Sequence, residues 1–151
     1  MSNSAGIATS FKTELLNGVH AFGATVVRAG TTKDVFKAAL FLASATINAA
    51  TTAYSTTGEV TGTGYTAGGV TVTNATAPSA SGTTAIWTPS AAFAWTTVTL
   101  ATAFDAVELY NSTQGDKTVA VFTFGSQTVT AGNFSLSMPV NDASNALLRI
   151  S

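Results

Sequence analysis

Apolar and polar positions change their period along the chain, and each change marks an element. Near the N-terminus Phe11, Leu15, Val19 and Phe22 recur at helical spacing behind Thr9 and Ser10, either of which can cap a helix, with Gly18 and Gly23 as stops. This predicts a short helical segment over about 9–22. A segment of that length is not stable alone, so its apolar stripe must lie on the sheet of its own subunit or on a neighbouring subunit. From Asp34 onward, short runs rich in Val, Thr, Phe, Leu and Trp are separated by Gly, Pro, Asn and Ser clusters, which is the strand-and-turn pattern. Strands are predicted over 35–42, 69–73, 83–88, 95–101, 105–110, 118–124, 133–138 and 146–150. The first run also fits a helix, because Asp34 can cap and Phe36 with Leu40 has helical spacing.

Alternation is clearest toward the C-terminus. Val119, Val121 and Thr123 oppose Ala120, Phe122 and Phe124, which reads as a strand buried on both faces. Phe134, Leu136 and Met138 alternate with Asn133, Ser135 and Ser137, which reads as a half-buried strand. Between 105–110 and 118–124, Tyr110-Asn111-Ser112-Thr113-Gln114-Gly115-Asp116 has the turn chemistry of an antiparallel hairpin with a longer loop. Residues 43–69 lack strong periodicity and are expected to form a long ordered excursion from the sheet, anchored by Tyr54 and Tyr65. The expected fold is all-β: an antiparallel β-sandwich or jelly roll of about eight strands with a short N-terminal helix, folded as a single domain over 1–151.

Composition alters this picture at the surface. Charged residues make up 9% of the 151 residues, against about a quarter in an ordinary soluble domain. Thr, Ser, Asn and Gly tracts such as Thr51-Thr52-Ala53-Tyr54-Ser55-Thr56-Thr57-Gly58 supply polarity without charge. No charged residue occurs from Val60 through Phe104, a span that holds Trp87, Phe93 and Trp95. The centre of an obligate interface loses charge and gains aromatics, so the span is expected either to be covered in part by a partner or to carry a free surface coated with Thr. The net charge of -1 and the scattering of Lys12, Arg28, Lys33, Lys37, Lys117 and Arg149 offer nothing to a polyanion, and nucleic acid is not an expected partner. No membrane helix is predicted, since no run of about 18 residues stays apolar. The first residues show no export signal.

Candidate chemistry is sparse. There is no Cys, hence no disulfide or thiolate metal site. The single histidine, His20, reads as a surface or packing residue. Among the acids only Asp105 and Glu108 lie close in sequence, and three apart on a strand they point to opposite faces. Gly62-Thr63-Gly64-Tyr65 with Gly68-Gly69 lacks the Gly-Lys-Ser/Thr ending of a phosphate loop, so these read as turn glycines. No catalytic, cofactor-binding or metal-ligating residue is assigned. Trp87, Trp95, Tyr54 and Tyr65 could face a sugar ring, but core or interface packing is the preferred reading.

Several strings resemble a group of small tailed-bacteriophage virion structural proteins. They are Phe11-Lys12-Thr13-Glu14-Leu15-Leu16-Asn17-Gly18, Phe36-Lys37-Ala38-Ala39-Leu40-Phe41, the stretch 51–69 with Glu59-Val60-Thr61-Gly62-Thr63-Gly64-Tyr65, Ala106-Val107-Glu108-Leu109-Tyr110-Asn111, and Val119-Ala120-Val121-Phe122-Thr123-Phe124-Gly125. The resemblance implies a phage particle assembled in the host cytoplasm and a β-rich body with a short N-terminal helix. The residues themselves offer no catalytic constellation, and the resemblance does not say which part of the particle; the leading expectation is a non-enzymatic capsid cement or decoration protein whose partners are the major capsid protein and copies of itself, with no membrane or nucleic acid. A tail or fibre-attachment component and a glycan-binding module are the alternatives. Phe11, Leu15, Tyr54, Tyr65, Trp87, Phe93 and Trp95 are the candidate interface residues.

Overall fold

The computed structural model describes residues 3–8, 11, 15, 18–22, 33–73, 76–82 and 84–150. Among them the chain is all-β and antiparallel. In chain order the strands are β1 (Gly6–Ile7), β2 (Phe36–Leu42), β3 (Val70–Thr71), β4 (Ser79–Ser81), β5 (Thr84–Trp87), β6 (Phe93–Asn111), β7 (Lys117–Leu136) and β8 (Leu148–Ile150). They form a five-stranded sheet, ordered β1-β7-β6-β2-β3, and a three-stranded sheet, ordered β4-β5-β8. β1 and β4 are additions to the expected strands; each is too short to leave a periodic signature.

The hairpin expected around 110–116 is present, with Tyr110 opposite Thr118 and Asn111 opposite Lys117. Its arms are far longer than expected, because 95–101 and 105–110 are halves of β6, and 118–124 and most of 133–138 are halves of β7. Compensating bulges hide that continuity. From the Leu100↔Val129 pair to the Phe104↔Gln127 pair β6 advances four residues and β7 two; from there to Ala106↔Thr123 β6 advances two and β7 four. The register errors cancel, so one ribbon runs through a stretch whose alternation is lost.

β2 is a strand, which settles its helix-or-strand ambiguity, and the cause of that ambiguity is visible. Phe36, Ala38 and Leu40 enter one core cluster together with Val107, Leu109, Trp87 and Leu148. Ala39 and Phe41 enter a second, with Ala106, Tyr110, Ala45 and Ile47. A strand buried on both faces shows a continuous apolar run, not alternation. The second cluster exists because the excursion over 43–69 folds back across the sheet. It is held by bridges of Phe41 to Glu59, Ala53 to Lys117 and Thr63 to Thr99, and by the Leu42 N–H donating to the Gly58 carbonyl at 2.9 Å. Gly62 lies so close to β6 that a Cβ there would overlap the Thr99 carbonyl. Glycine at this position serves close approach as well as turning.

The described residues contain no helix that stands as an element. Of the expected 9–22 helix, Phe11 and Leu15 are helical, and Gly18 turns the chain at φ 67°, its N–H donating to the Leu15 carbonyl at 3.1 Å. Apart from 19–22, the other positions of that segment lie outside the described residues. No helix among the described residues is long and apolar enough to cross a membrane.

Candidate functional site

Three acidic residues that the sequence leaves unremarkable are buried: Asp34, Glu59 and Glu108. An acid in a low-dielectric interior needs partners or a proton, and each of the three meets that demand differently.

Glu59 is the hub that fastens the excursion to the sheet. Its Oε2 accepts from the Tyr54 hydroxyl at 2.6 Å, and its Oε1 accepts from the Tyr65 hydroxyl at 2.7 Å and the Gly68 N–H at 2.8 Å. The Tyr65 oxygen also accepts from the Leu40 N–H of β2 at 3.0 Å. Tyr110 of β6 donates to the Gly68 carbonyl at 2.8 Å and stacks on Tyr54 with ring centroids 4.5 Å apart. Burial, reinforced by the hydrogen bond to Glu59 and its charge, pushes the hydroxyls of Tyr54 and Tyr65 above the usual phenol range, so both are held as donors. Tyr65→Phe removes a donor from Glu59 and an acceptor from Leu40, and is expected to cost about 2–3 kcal/mol. Tyr54→Phe removes one bond and should cost less. Urea midpoints at unchanged slope check both; equal, negligible losses would show that Glu59 is not the anchor.

Asp34 ties the start of β2 to two other segments. It accepts from the Ala21 N–H at 3.0 Å, Asn111 Nδ2 at 2.8 Å and Gln114 Nε2 at 3.0 Å. Asn111 Nδ2 also lies 3.1 Å from His20 Nδ1, and His20 packs edge-on against Phe11 at 4.8 Å. His20 is therefore a buried packing residue within a polar tie.

Glu108 is the exception. It sits in β6 between Ala39 of β2 and Val121 of β7. Its Oε1 accepts from the Thr118 hydroxyl at 2.7 Å, while its buried Oε2 has no hydrogen-bond partner. Burial is the main reason its carboxyl is raised to about 7; Glu59 and Asp116 add to the rise and the Thr118 bond opposes it. Asp105, with which it could be compared in sequence, has separate company, accepting from Asn3 Nδ2 at 2.6 Å. Glu108 lines a cavity of about 450 Å³ beneath the 44–58 loop, whose floor includes Phe41, Ala45 and Ile47. A second, apolar groove of about 350 Å³ lies between Phe11, Leu15 and Phe22 on one side and Ile86, Trp87 and Leu148 on the other. Among the described residues no group of three or more His, Cys, Asp or Glu could hold a metal ion.

The aromatic residues singled out by sequence are largely internal to the chain. Phe11, Trp87, Phe93 and Trp95 are buried in the first core cluster, at 1%, 3%, 2% and 3% exposure. Tyr54 and Tyr65 are half-buried with their hydroxyls committed to Glu59. Leu15 is half-buried on the apolar groove. The structure brings Tyr54 and Tyr65 together at Glu59, and Tyr65, like Leu15, also packs against the first core cluster that holds Phe11, Trp87, Phe93 and Trp95. What sequence reasoning missed was Glu59 and Glu108 as buried acids. The available signal was a lone Glu within Ala106-Val107-Glu108-Leu109-Tyr110, an otherwise apolar strand.

Among the described residues the exposed surface is nearly neutral. Of the charged residues among those described, only Lys33, Asp116 and Arg149 are exposed. The outer positions of the long ribbon are Ala94, Thr96, Thr97, Ala101, Thr102 and Ala103 on β6, facing solvent beside Thr123, Gly125, Ser126, Gln127, Thr128 and Thr130 on β7. Compared with family models, curated proteins and solved structures, the chain matches none.

Proposed function

We propose that the protein is a structural component of a tailed-phage particle, a cement or decoration protein that binds the major capsid protein and neighbouring copies of itself. The observation that carries this reading is the near-neutral exterior of the described residues. A free soluble domain generally keeps about 25–35% of its surface residues charged, whereas here three of the acids lie inside and the distal half of the β6–β7 ribbon presents Thr, Ser, Ala, Gly and Gln. Such a surface suits permanent contact, because covering it strands no desolvated charge. The particle itself is supplied by the family resemblance of the sequence strings. In fold terms, Trp87 of β5 and Leu148 of β8 pack into the core of the larger sheet, which favours a sandwich-like two-layer body. The glycan-binding alternative loses its main support, since Trp87 and Trp95 are buried in the chain's own core.

Two measurements test the reading. Quantitative mass spectrometry of purified particles should find copies approaching the capsid subunit number; a far smaller number would place the protein in the tail. Capsids lacking it should open at lower temperature and at low salt, and equal resistance would overturn the cement role. A charge placed in the neutral surface, Thr102→Lys or Thr128→Lys, should change the stability of the isolated protein by no more than about 0.5 kcal/mol while reducing incorporation into particles. Normal incorporation of both variants would move the interface elsewhere.

A further inference from the structure

We propose that the cavity beneath the 44–58 loop is a binding site for a primary alkylammonium group, with Glu108 as its charge partner. This goes beyond the particle reading and does not depend on it.

The cavity is graded from rim to floor. Ser44, Thr46, Ser55 and Thr57 are exposed at its mouth, and Phe41, Ala45 and Ile47 are buried below them. Glu108, fully buried, completes the wall. Its Oε2 has neither a hydrogen-bond partner nor solvent contact, so an ammonium reaches it as the Glu108 side chain turns toward the cavity that the residue lines. At about 450 Å³ the space falls within the range of small-ligand sites, which are mostly apolar with a few placed polar groups.

The chemistry narrows the ligand. Glu59 and Asp116 both act on Glu108 to oppose its ionisation, so the potential at its carboxyl is negative and favours a cation over a neutral hydroxyl. With Oε1 occupied by Thr118, Glu108 has one oxygen to offer. A guanidinium needs two for its bidentate fork, whereas an ammonium is a point charge that one oxygen can serve. A quaternary ammonium cannot donate a hydrogen bond and relies on an aromatic cage; Phe41 is the one aromatic ring lining this cavity. A primary ammonium on an alkyl stem fits each level, with its charge at Glu108, its methylenes along Phe41, Ala45 and Ile47, and its far end among the rim hydroxyls. Such a group belongs either to a free amine or to a lysine side chain presented by another protein.

The test uses the whole purified chain and follows amide shifts over 44–58 by ¹H–¹⁵N NMR during titration with n-butylammonium, n-butanol and Nα-acetyl-lysine amide. At pH 8, n-butylammonium should bind saturably and at least about tenfold more tightly than n-butanol, a margin equivalent to one buried charge contact. Tighter binding of the lysine amide than of n-butylammonium identifies a protein lysine as the source; equal binding identifies a free amine. Lowering the pH to 5 should weaken amine binding about a hundredfold, since ligand must then recruit the minor ionised form of Glu108. Glu108→Gln should lose the preference for amine over alcohol while keeping a cooperative unfolding transition. No saturable shift with either amine, equal affinity for n-butanol, or unchanged amine binding in Glu108→Gln would each overturn the site.

Discussion

Glu108→Gln raises the stability of the protein at pH 8 by about 3 kcal/mol and leaves it nearly unchanged at pH 4.5. The size follows from a carboxyl whose ordinary value of 4.5 is raised to about 7 in the folded chain, chiefly by burial. The native state binds this proton more tightly than the unfolded chain does. Its contribution to stability is therefore complete below about pH 4.5, falls as pH rises, and is gone above about pH 7, where the fold must hold a buried carboxylate. Glutamine retains an oxygen for the Thr118 hydroxyl and cannot ionise, so the variant escapes the loss. Urea midpoints at pH 4.5, 6 and 8 separate the outcomes: the parent weakens across this window and the variant does not weaken through this group. A parent that loses nothing between pH 4.5 and 8, or a variant that follows the parent, would show that Glu108 is solvated or paired in the native state.

The same residue marks the limit of what sequence can disclose. Alternation identified the β class, the hairpin at 110–116 and the half-buried run at 133–138, because each expresses a local period. Along the sequence the 19-residue β6 and 20-residue β7 break into shorter runs because their bulges interrupt that period, and a bulge on one strand is cancelled only by its partner. The cancellation is a property of the pair, invisible along either strand alone. Burial on the second face of the sheet is likewise nonlocal. Ala106, Glu108 and Tyr110 look outward only until the 43–69 excursion covers them, and no nearby residue announces that cover.

For the candidate site the division is similar. Tyr54 and Tyr65 were legible as anchors of the excursion, but the carboxylate they hold was not, since Glu59 reads as an ordinary loop acid. In the uncharged span 60–104, Trp87, Phe93 and Trp95 are the residues that point by sequence to a covered surface. Those rings in fact fill the chain's own core, and the neutral exterior is built instead from the intervening Thr, Ala and Ser positions. Lack of charge and wealth of aromatics, adjacent in sequence, belong to opposite sides of the same strands. Lack of charge is the feature of this span left at the surface, and the uncharged stretch of β7 lies alongside it.

Gly69→Ala should be the most damaging single-methyl change in the excursion, costing more than about 4 kcal/mol. Gly69 has φ 70°, a conformation that costs an L-residue about 1–2 kcal/mol. That strain is the smaller part. A Cβ at Gly69 would overlap the Ala38 carbonyl and the Ala39 Cα. Both belong to the backbone of β2, which is buried on its two faces and paired with β6 through seven residues; neither can rotate away as a side chain would. Relief requires the excursion to lift from β2, which would break the Tyr110 bond to Gly68 and the Leu40 bond to Tyr65. Gly82 supplies the control, with φ 61° and nothing within 4 Å of its added Cβ, so Gly82→Ala carries the backbone strain without the collision. With typical total stability of about 5–15 kcal/mol, Gly69→Ala should yield little folded protein or a denaturant midpoint far below that of Gly82→Ala. Equal midpoints for the two variants would mean that the excursion does not approach β2 as closely as the 69–71 backbone places it, and the covering of Glu108 would have to be reconsidered with it.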